Sequence, residues 1–237
     1  MTDTLNLDRH TSQKFNEELE AIRADVLTMG GLVEEQCRKA LKALVKGNAD
    51  LAAEVVGGDQ RVNEMDVAIN ASCTDILALR QPAASDLRVI VAIIRLTADL
   101  ERIGDEAERI ARLAQSLVDG RDGSSCRSDP KHLGKGVLDI LSGALDAFAR
   151  LDVQAAITTA GKDPDIDAEF ESLTRLLITR MMEQPTSVRS LLKVNWCARS
   201  LERIGDHAVN ICEEVIFLVK GSDVRHLSLR EIQDRFL

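Results

Sequence analysis

The residues best suited to chemistry in this chain occur twice. Leu100-Glu101-Arg102-Ile103-Gly104-Asp105 returns, letter for letter, as Leu201-Glu202-Arg203-Ile204-Gly205-Asp206, and Ala107 and Ile110 answer Ala208 and Ile211. Apolar residues run through the first copy as Ile93, Leu96, Leu100, Ile103, Ala107, Ile110, Ala114 and Leu117. They run through the second as Val194, Cys197, Leu201, Ile204, Ala208, Ile211, Val215 and Leu218. Steps of three and four make each set the core stripe of a long helix. Glu101 and Asp105, like Glu202 and Asp206, are then four apart, side by side on a face turned away from that stripe. Two carboxylates so placed repel by a few tenths of a kcal/mol. A cation would reverse the sign, and without a paired His or Cys the donor set is all oxygen, which suits hard or borderline metals: Mg, Mn, Ca, Fe or Zn. The bland alternative is a solvated charged face, with Asp105 paired to Arg109 one turn on; Asn210 stands at that step in the second copy.

A second pair of oxygen-bearing residues precedes each motif. Asp59 and Asn63 open one helical stretch, and Asp163 and Asp167 open another. In an antiparallel helix pair these starts lie beside the motif, so up to four oxygen-bearing side chains converge per unit. The competing reading makes Asp59 and Asp163 ordinary helix N-caps.

The elements that must position these groups are helical. Apolar residues make up 45% of the 237 residues, aromatics only 3%, with no Tyr and four Pro. That is the composition of an all-α protein. A first helix is expected from Thr11-Ser12 to about Lys46, following a polar frayed start over 1–10, with Gly30-Gly31 as a point of bending. A short piece over 49–56 is expected to break at Gly57-Gly58. Asp59 starts a second helix that stops at Gln81-Pro82, and Ser85 or Asp86 caps a third that runs to about Val118. The plan repeats: a helix over 131–150, a short piece over 152–160 ending at Gly161, a helix from Asp163-Pro164 to Gln184-Pro185, and a last long one over 186–219. Short connections make each set an antiparallel three-helix bundle. The expected units are 11–118, a turn-rich linker 119–130, 131–220, and a tail 221–237 in which Leu229, Ile232 and Phe236 have helical spacing.

The net charge of −9 argues against nucleic acid and anionic membrane as partners and suits divalent cations or a basic protein surface. Five scattered Cys without a Cys-x-x-Cys read as buried free thiols in a reducing cytoplasm. Neither a signal peptide nor a membrane-spanning run is expected. His207 follows Asp206 but lies about 100° round the helix, so it reads as an exposed or bridging group. His10, His132 and His226 are expected in loops or tails, and Trp196 in the core. Arg102 and Arg203 are expected to pair with neighbouring acids. No Ser-His-Asp arrangement and no phosphate-cradling Gly-x-x-x-x-Gly-Lys loop is present.

With both motif copies on the third helix of a unit, and Gln-Pro-Ala-Ala-Ser-Asp-Leu-Arg over 81–88 ahead of the first, the chain resembles the PhoU family of bacterial phosphate-uptake regulators from about residue 13 to 220. The resemblance implies two three-helix bundles in pseudo-symmetric tandem. It implies multinuclear metal sites on the bundle surface, with Glu101, Asp105, Glu202, Asp206, Asp163, Asp167 and Asp59 as ligands. Asn63 stands where the pattern has an acid, so the first site is expected to be weaker. The resemblance further implies a non-enzymatic negative regulator of the phosphate-starvation response, acting between the ATPase subunit of a phosphate-importing ABC transporter and a membrane sensor histidine kinase. It implies a homodimer. Two other classes fit the residues less well: a helical-bundle carboxylate metalloenzyme, which would want inward Glu-x-x-His pairs, and a metal-free adaptor whose acidic faces dock a basic partner. No anion pocket is evident, so phosphate sensing is expected to be indirect, through the state of the transporter.

Overall fold

The computed structural model describes residues 7–82, 85–118 and 126–236, with side chains from residue 14. The expected frayed start falls partly outside these residues, as do Ala83 and Ala84 of the 81–88 stretch and most of the expected linker. The helices are α1 (Leu7–Lys46), α2 (Ala49–Arg80), α3 (Ser85–Val118), α4 (Lys131–Arg150), α5 (Val153–Ala160), α6 (Asp163–Glu183), α7 (Val188–Lys220) and α8 (Leu229–Phe236). A 3-10 turn, Pro185–Ser187, leads into α7. Helices α1, α2 and α3 pack as one antiparallel bundle, and α4, α5–α6 and α7 as another. The fold is thus all-α, two three-helix bundles in tandem.

The helical stripes are where the periodicity predicts. Ile93 to Leu117 on α3 and Val194 to Val215 on α7 are buried, as are Val26, Met29, Val33 and Leu44 of α1. All five Cys are buried, and no disulfide joins any of them among the described residues. Trp196 is not in the core: the stripe passes through Val194 and Cys197, which leaves Trp196 on the outer face, 47% exposed. Two other expectations are corrected. Helix α1 begins at Leu7 rather than at Thr11, so the backbone of His10 is helical, and His132 sits on α4, its Nδ1 2.6 Å from Glu169 Oε1.

Helix α2 also runs straight through Gly57-Gly58, where a break was expected. Two helical glycines cost about 1 kcal/mol each relative to Ala, but Ala52, Val55 and Val62 keep the stripe buried on both sides. In the second unit the matching helix does divide. Pro164, in the first turn of α6, lacks an N–H, and its ring would clash with the carbonyl of Ala160 if the helix continued. The chain therefore turns at Gly161-Lys162 between α5 and α6. At the C-terminal end, α8 docks through buried Ile232, with Leu229 and Phe236 packed beside it.

The bundles join along two seams. In the smaller one each helix offers a glycine to a leucine of the other. A Cβ on Gly30 of α1 would lie 2.7 Å from Leu145 of α4, and one on Gly134 of α4 would lie 2.4 Å from Leu41 of α1. These reciprocal contacts express the internal repeat as packing. Gly30 thus serves as a notch; α1 stays helical through it. In the larger seam α3 and α7 run antiparallel and are tied by buried charge. Arg203 Nη1 lies 2.6 Å from Glu106 Oε1, and Arg95 lies 3.3 Å from Glu214. Asp99, only 6% exposed, receives Asn210 Nδ2 at 3.1 Å and has His207 Nδ1 at 2.9 Å, with Arg102 at 3.8 Å. His207 is therefore the bridging group that its angular position suggests.

Removing Asp99 would leave those donors facing a buried gap. Asp99→Ala is expected to destabilise the chain by about 2–3 kcal/mol and to lower Tm by roughly 5–10 °C. Thermal unfolding measures this; an unchanged Tm would mean the seam is held by apolar packing alone.

Candidate metal centre

The α3·α7 seam sets both motif copies at one level. The pairs Glu106–Arg203 and Asp99–Asn210 bracket Gly104 and Gly205, so the acids of each motif emerge at the same height on opposite sides. Glu101 and Asp105 face α2, and Glu202 and Asp206 face α6.

In the second unit α6 runs antiparallel to α7, with Thr174 Oγ1 donating to Asn195 Oδ1 at 3.1 Å. This brings the start of α6 beside the motif. Asp167, Glu202 and Asp206 each place a carboxylate oxygen within 4.8 Å of the others. Asp163 joins from below: its Oδ1 lies 3.8 Å from where a Cβ on Gly205 would be. Asp163 is the first residue of α6, and Lys162 occupies the cap position, so Asp163 is not the N-cap. Burial, then the charges of Asp167 and Asp206, push its carboxyl up from 3.8 to about 6. Burial, then Asp167, raises Asp206, and burial, then Asp206, raises Glu202. Glu202 alone of these four has an ion-pair partner among the described residues, Arg199 at 3.0 Å; its Oε2 is buried without a hydrogen bond.

The first unit is built on the same plan with different contents. Asp59 lies inside α2, not at its cap, which is Asn48. Its Oδ2 accepts from Asn63 Nδ2 at 3.1 Å, and its Oδ1 is buried with no partner. Burial, then Glu108 and Asp105, raises the Asp59 carboxyl; burial, then Asp105 and Asp66, raises that of Glu101; burial, then Glu108, raises that of Asp105. The local pairing of Asp105 with Arg109 is not made. Arg109 turns to Glu106 at 4.0 Å, and Asp105 has no ion pair among the described residues. Among those residues the three-acid cluster of metal-ligand spacing is in the second unit only. The structure also places a residue in the first unit that sequence reasoning passed over, Gln36 of α1, whose Oε1 is buried and unpartnered. A lone Gln inside an otherwise apolar stripe was the available signal.

The arrangement fits a cation held by oxygen. Burial and neighbouring acids raise the proton affinity of Asp59, Glu101, Asp105, Asp163, Glu202 and Asp206, and two buried oxygens, Asp59 Oδ1 and Glu202 Oε2, lack any donor; of the bases nearby, Arg102, Arg109 and Arg203 turn to other acids and only Arg199 reaches the set, at Glu202. Comparison with known proteins agrees with the architecture. The PhoU domain family matches residues 26–114 and 131–215. The chain belongs to the PhoU family. It is 47% identical over 232 residues to a "phosphate-specific transport system accessory protein PhoU homolog" of Pseudomonas putida, covering 98% of this chain and 91% of that one. It is 44% identical to the accessory protein PhoU of Escherichia coli strain K12, covering 97% and 95%. The crystal structure of PhoU from Pseudomonas aeruginosa superposes with a TM-score of 0.85 at 46% identity, over 88% of this chain and all of that one. The phosphate transport system regulatory protein PhoU of Streptococcus pneumoniae follows at 0.82 and 31%, over 89% and 99%. As a PhoU chain it repeats the domain twice, and the candidate centres occupy corresponding places in the two copies.

The raised carboxyl of Asp163 gives a pH test. An unfolded chain releases this proton near 3.8, the folded one near 6. Its contribution to stability is complete below about pH 4 and is lost as pH rises through about 6. In chelated protein, Asp163→Asn should match the parent near pH 4 and exceed it at neutral pH by about 1–2 kcal/mol, a value discounted for partial exposure. Calorimetry across that window checks it, and a pH-independent offset would refute it.

Proposed function

We propose that this chain is a non-enzymatic negative regulator of phosphate uptake and of the phosphate-starvation response. It works in the cytoplasm as a homodimer, between the ATPase subunit of a phosphate ABC transporter and a membrane sensor histidine kinase. The observation that carries this reading is similarity along nearly the whole chain to proteins named as accessories of the phosphate-specific transport system. Metal binding is part of the proposal: Glu101, Asp105, Asp59 and Asn63 hold one centre, and Glu202, Asp206, Asp163 and Asp167 the other. Hard or borderline divalent ions, or iron, suit these donors.

Two features favour this over the rival classes. Carboxylate metalloenzymes of helical bundles set Glu and Glu-x-x-His on inward faces, whereas these acids sit where two helices of a unit meet the surface. A metal-free adaptor would gain nothing from burying carboxylate oxygens with no donor, a placement that costs about 1–3 kcal/mol each. A bound cation removes that cost.

Deletion of the gene tests the regulatory role. Phosphate-starvation genes should become constitutive at high phosphate and return to repression on complementation; repression that survives deletion would overturn the reading. For the metal, Glu101→Ala with Glu202→Ala should remove most bound ion from purified protein by elemental analysis, and an unchanged content would count against the centres.

A further inference from the structure

Gln36 lies on α1 among core residues. Val33 and Cys37 flank it and are buried, and Gln36 itself is only 9% exposed. Its Oε1 has no hydrogen-bond partner, and neither has Asp59 Oδ1, on a residue equally enclosed. Both oxygens lie 3.6 Å from the point where a Cβ on Gly104 would stand. Two buried acceptors without a donor thus both approach the α3 backbone at Gly104. On its other side the amide nitrogen is 3.4 Å from the Cβ position of Gly58, so the glycines of α2 and α3 leave the room that this side chain fills. The second unit does without it. Counting back from the caps Asn48 and Asp152, which end the matching turns, the counterpart of Gln36 is Ile140, fully buried. The unit with Asn63 where the other has Asp167 is the one with Gln36 where the other has Ile140.

We propose that Gln36 is a further ligand in the first unit, its carbonyl oxygen joining Asp59 on a divalent cation of the hard, oxygen-seeking class. This rests on the metal-binding reading above and extends it to α1. The first centre then draws on all three helices of its bundle, whereas the second draws on α6 and α7. A neutral carbonyl oxygen is an ordinary donor to such ions and adds no charge to an already crowded site.

The test uses the full-length chain, stripped with chelator, in an Asp206→Ala background that disables the second centre, with Mn2+ alone as the titrant in calorimetry. Gln36→Leu is expected to weaken Mn2+ binding by about tenfold or more, and to leave the Tm of the metal-free protein equal or higher, since an unpartnered buried amide has been replaced by the kind of residue the second unit uses. Gln36→Glu is expected to tighten binding at least severalfold, and it decides the matter if the Leu variant does not fold. Unchanged affinity in both variants would overturn the proposal and assign the amide to a hydrogen bond with Asp59. Glu101→Ala with Asp105→Ala in the same background separates the two levels. If it abolishes binding while the Gln36 variants do not alter it, only the role of Gln36 fails. If it too leaves binding intact, the metal reading fails with it.

Discussion

Like charge held close against an apolar core is the constraint on which this structure turns. Carboxylates normally relieve their repulsion by swinging into water or by finding a base. Here the hexapeptide limits both without removing either: Asp105 and Asp206 stay exposed, and only Glu202 keeps a base, Arg199 at 3.0 Å. Leu100 and Ile103 bury one face of α3, which fixes the rotation of the helix. Gly104 lets α2 come near enough that an added Cβ would meet Val62 at 3.3 Å. Glu101 and Asp105 are thereby set beside α2, Glu101 partly buried and Asp105 exposed. Arg102, between them in sequence, turns the other way and reaches Asp99. In the first copy each of the six positions has a physical task. The one loose fit is Gly205, where an added Cβ would meet only ordinary contacts.

A single helix therefore carries two kinds of acid. On the seam face, Asp99 and Glu106 are deeply buried yet supplied with Arg, His and Asn donors from α7. Breaking such a pair costs more than leaving it out, so the seam specifies how the bundles meet rather than merely how strongly. On the neighbouring face, Glu101 and Asp105 are left without a base although Arg102 and Arg109 are adjacent in sequence. The chain has 30 Lys and Arg, and near the motifs Arg102, Arg109 and Arg203 turn to the seam acids while Arg199 alone pairs with a motif acid, Glu202. Scarcity of cations does not explain the bare acids; the rotation of the helices does. That partition is the strongest structural ground for expecting a positive charge from outside.

Much of this was legible in the sequence, and the failures share a cause. Core stripes, the repeat, the division at Gly161 and the docking of the tail follow from local periodicity and from proline chemistry. The continuity of α2 did not, because glycine propensity is a weak prior that packing overrides. The rival reading, an Asp105–Arg109 pair, is not made either: Arg109 reaches Glu106, three residues back on the same helix, which Arg203 of α7 also engages. Trp196 was misplaced by one helical step of about 100°. Asp99 could not be singled out at all, since its partners lie on α7, in the other unit, and only the assembled seam brings them together.

The two units share a backbone plan but anchor their acids differently. Asp59 sits in mid-helix, where Asn48 far upstream sets the helix start, so its position is fixed by a continuous α2. Asp163 opens α6, directly after the turn at Gly161-Lys162. A helix N-terminus favours negative charge by up to about 1 kcal/mol at ordinary sites, yet the Asp163 carboxyl is raised to about 6. Burial and the two neighbouring acids thus outweigh the helix dipole. The second centre takes one of its acids, Asp163, from the joint between two helices, whereas Asp59 of the first stands within one uninterrupted helix. A positive charge that relieved the repulsion at Asp163 would stand next to the α5–α6 joint, for which the first unit, with α2 continuous, has no counterpart.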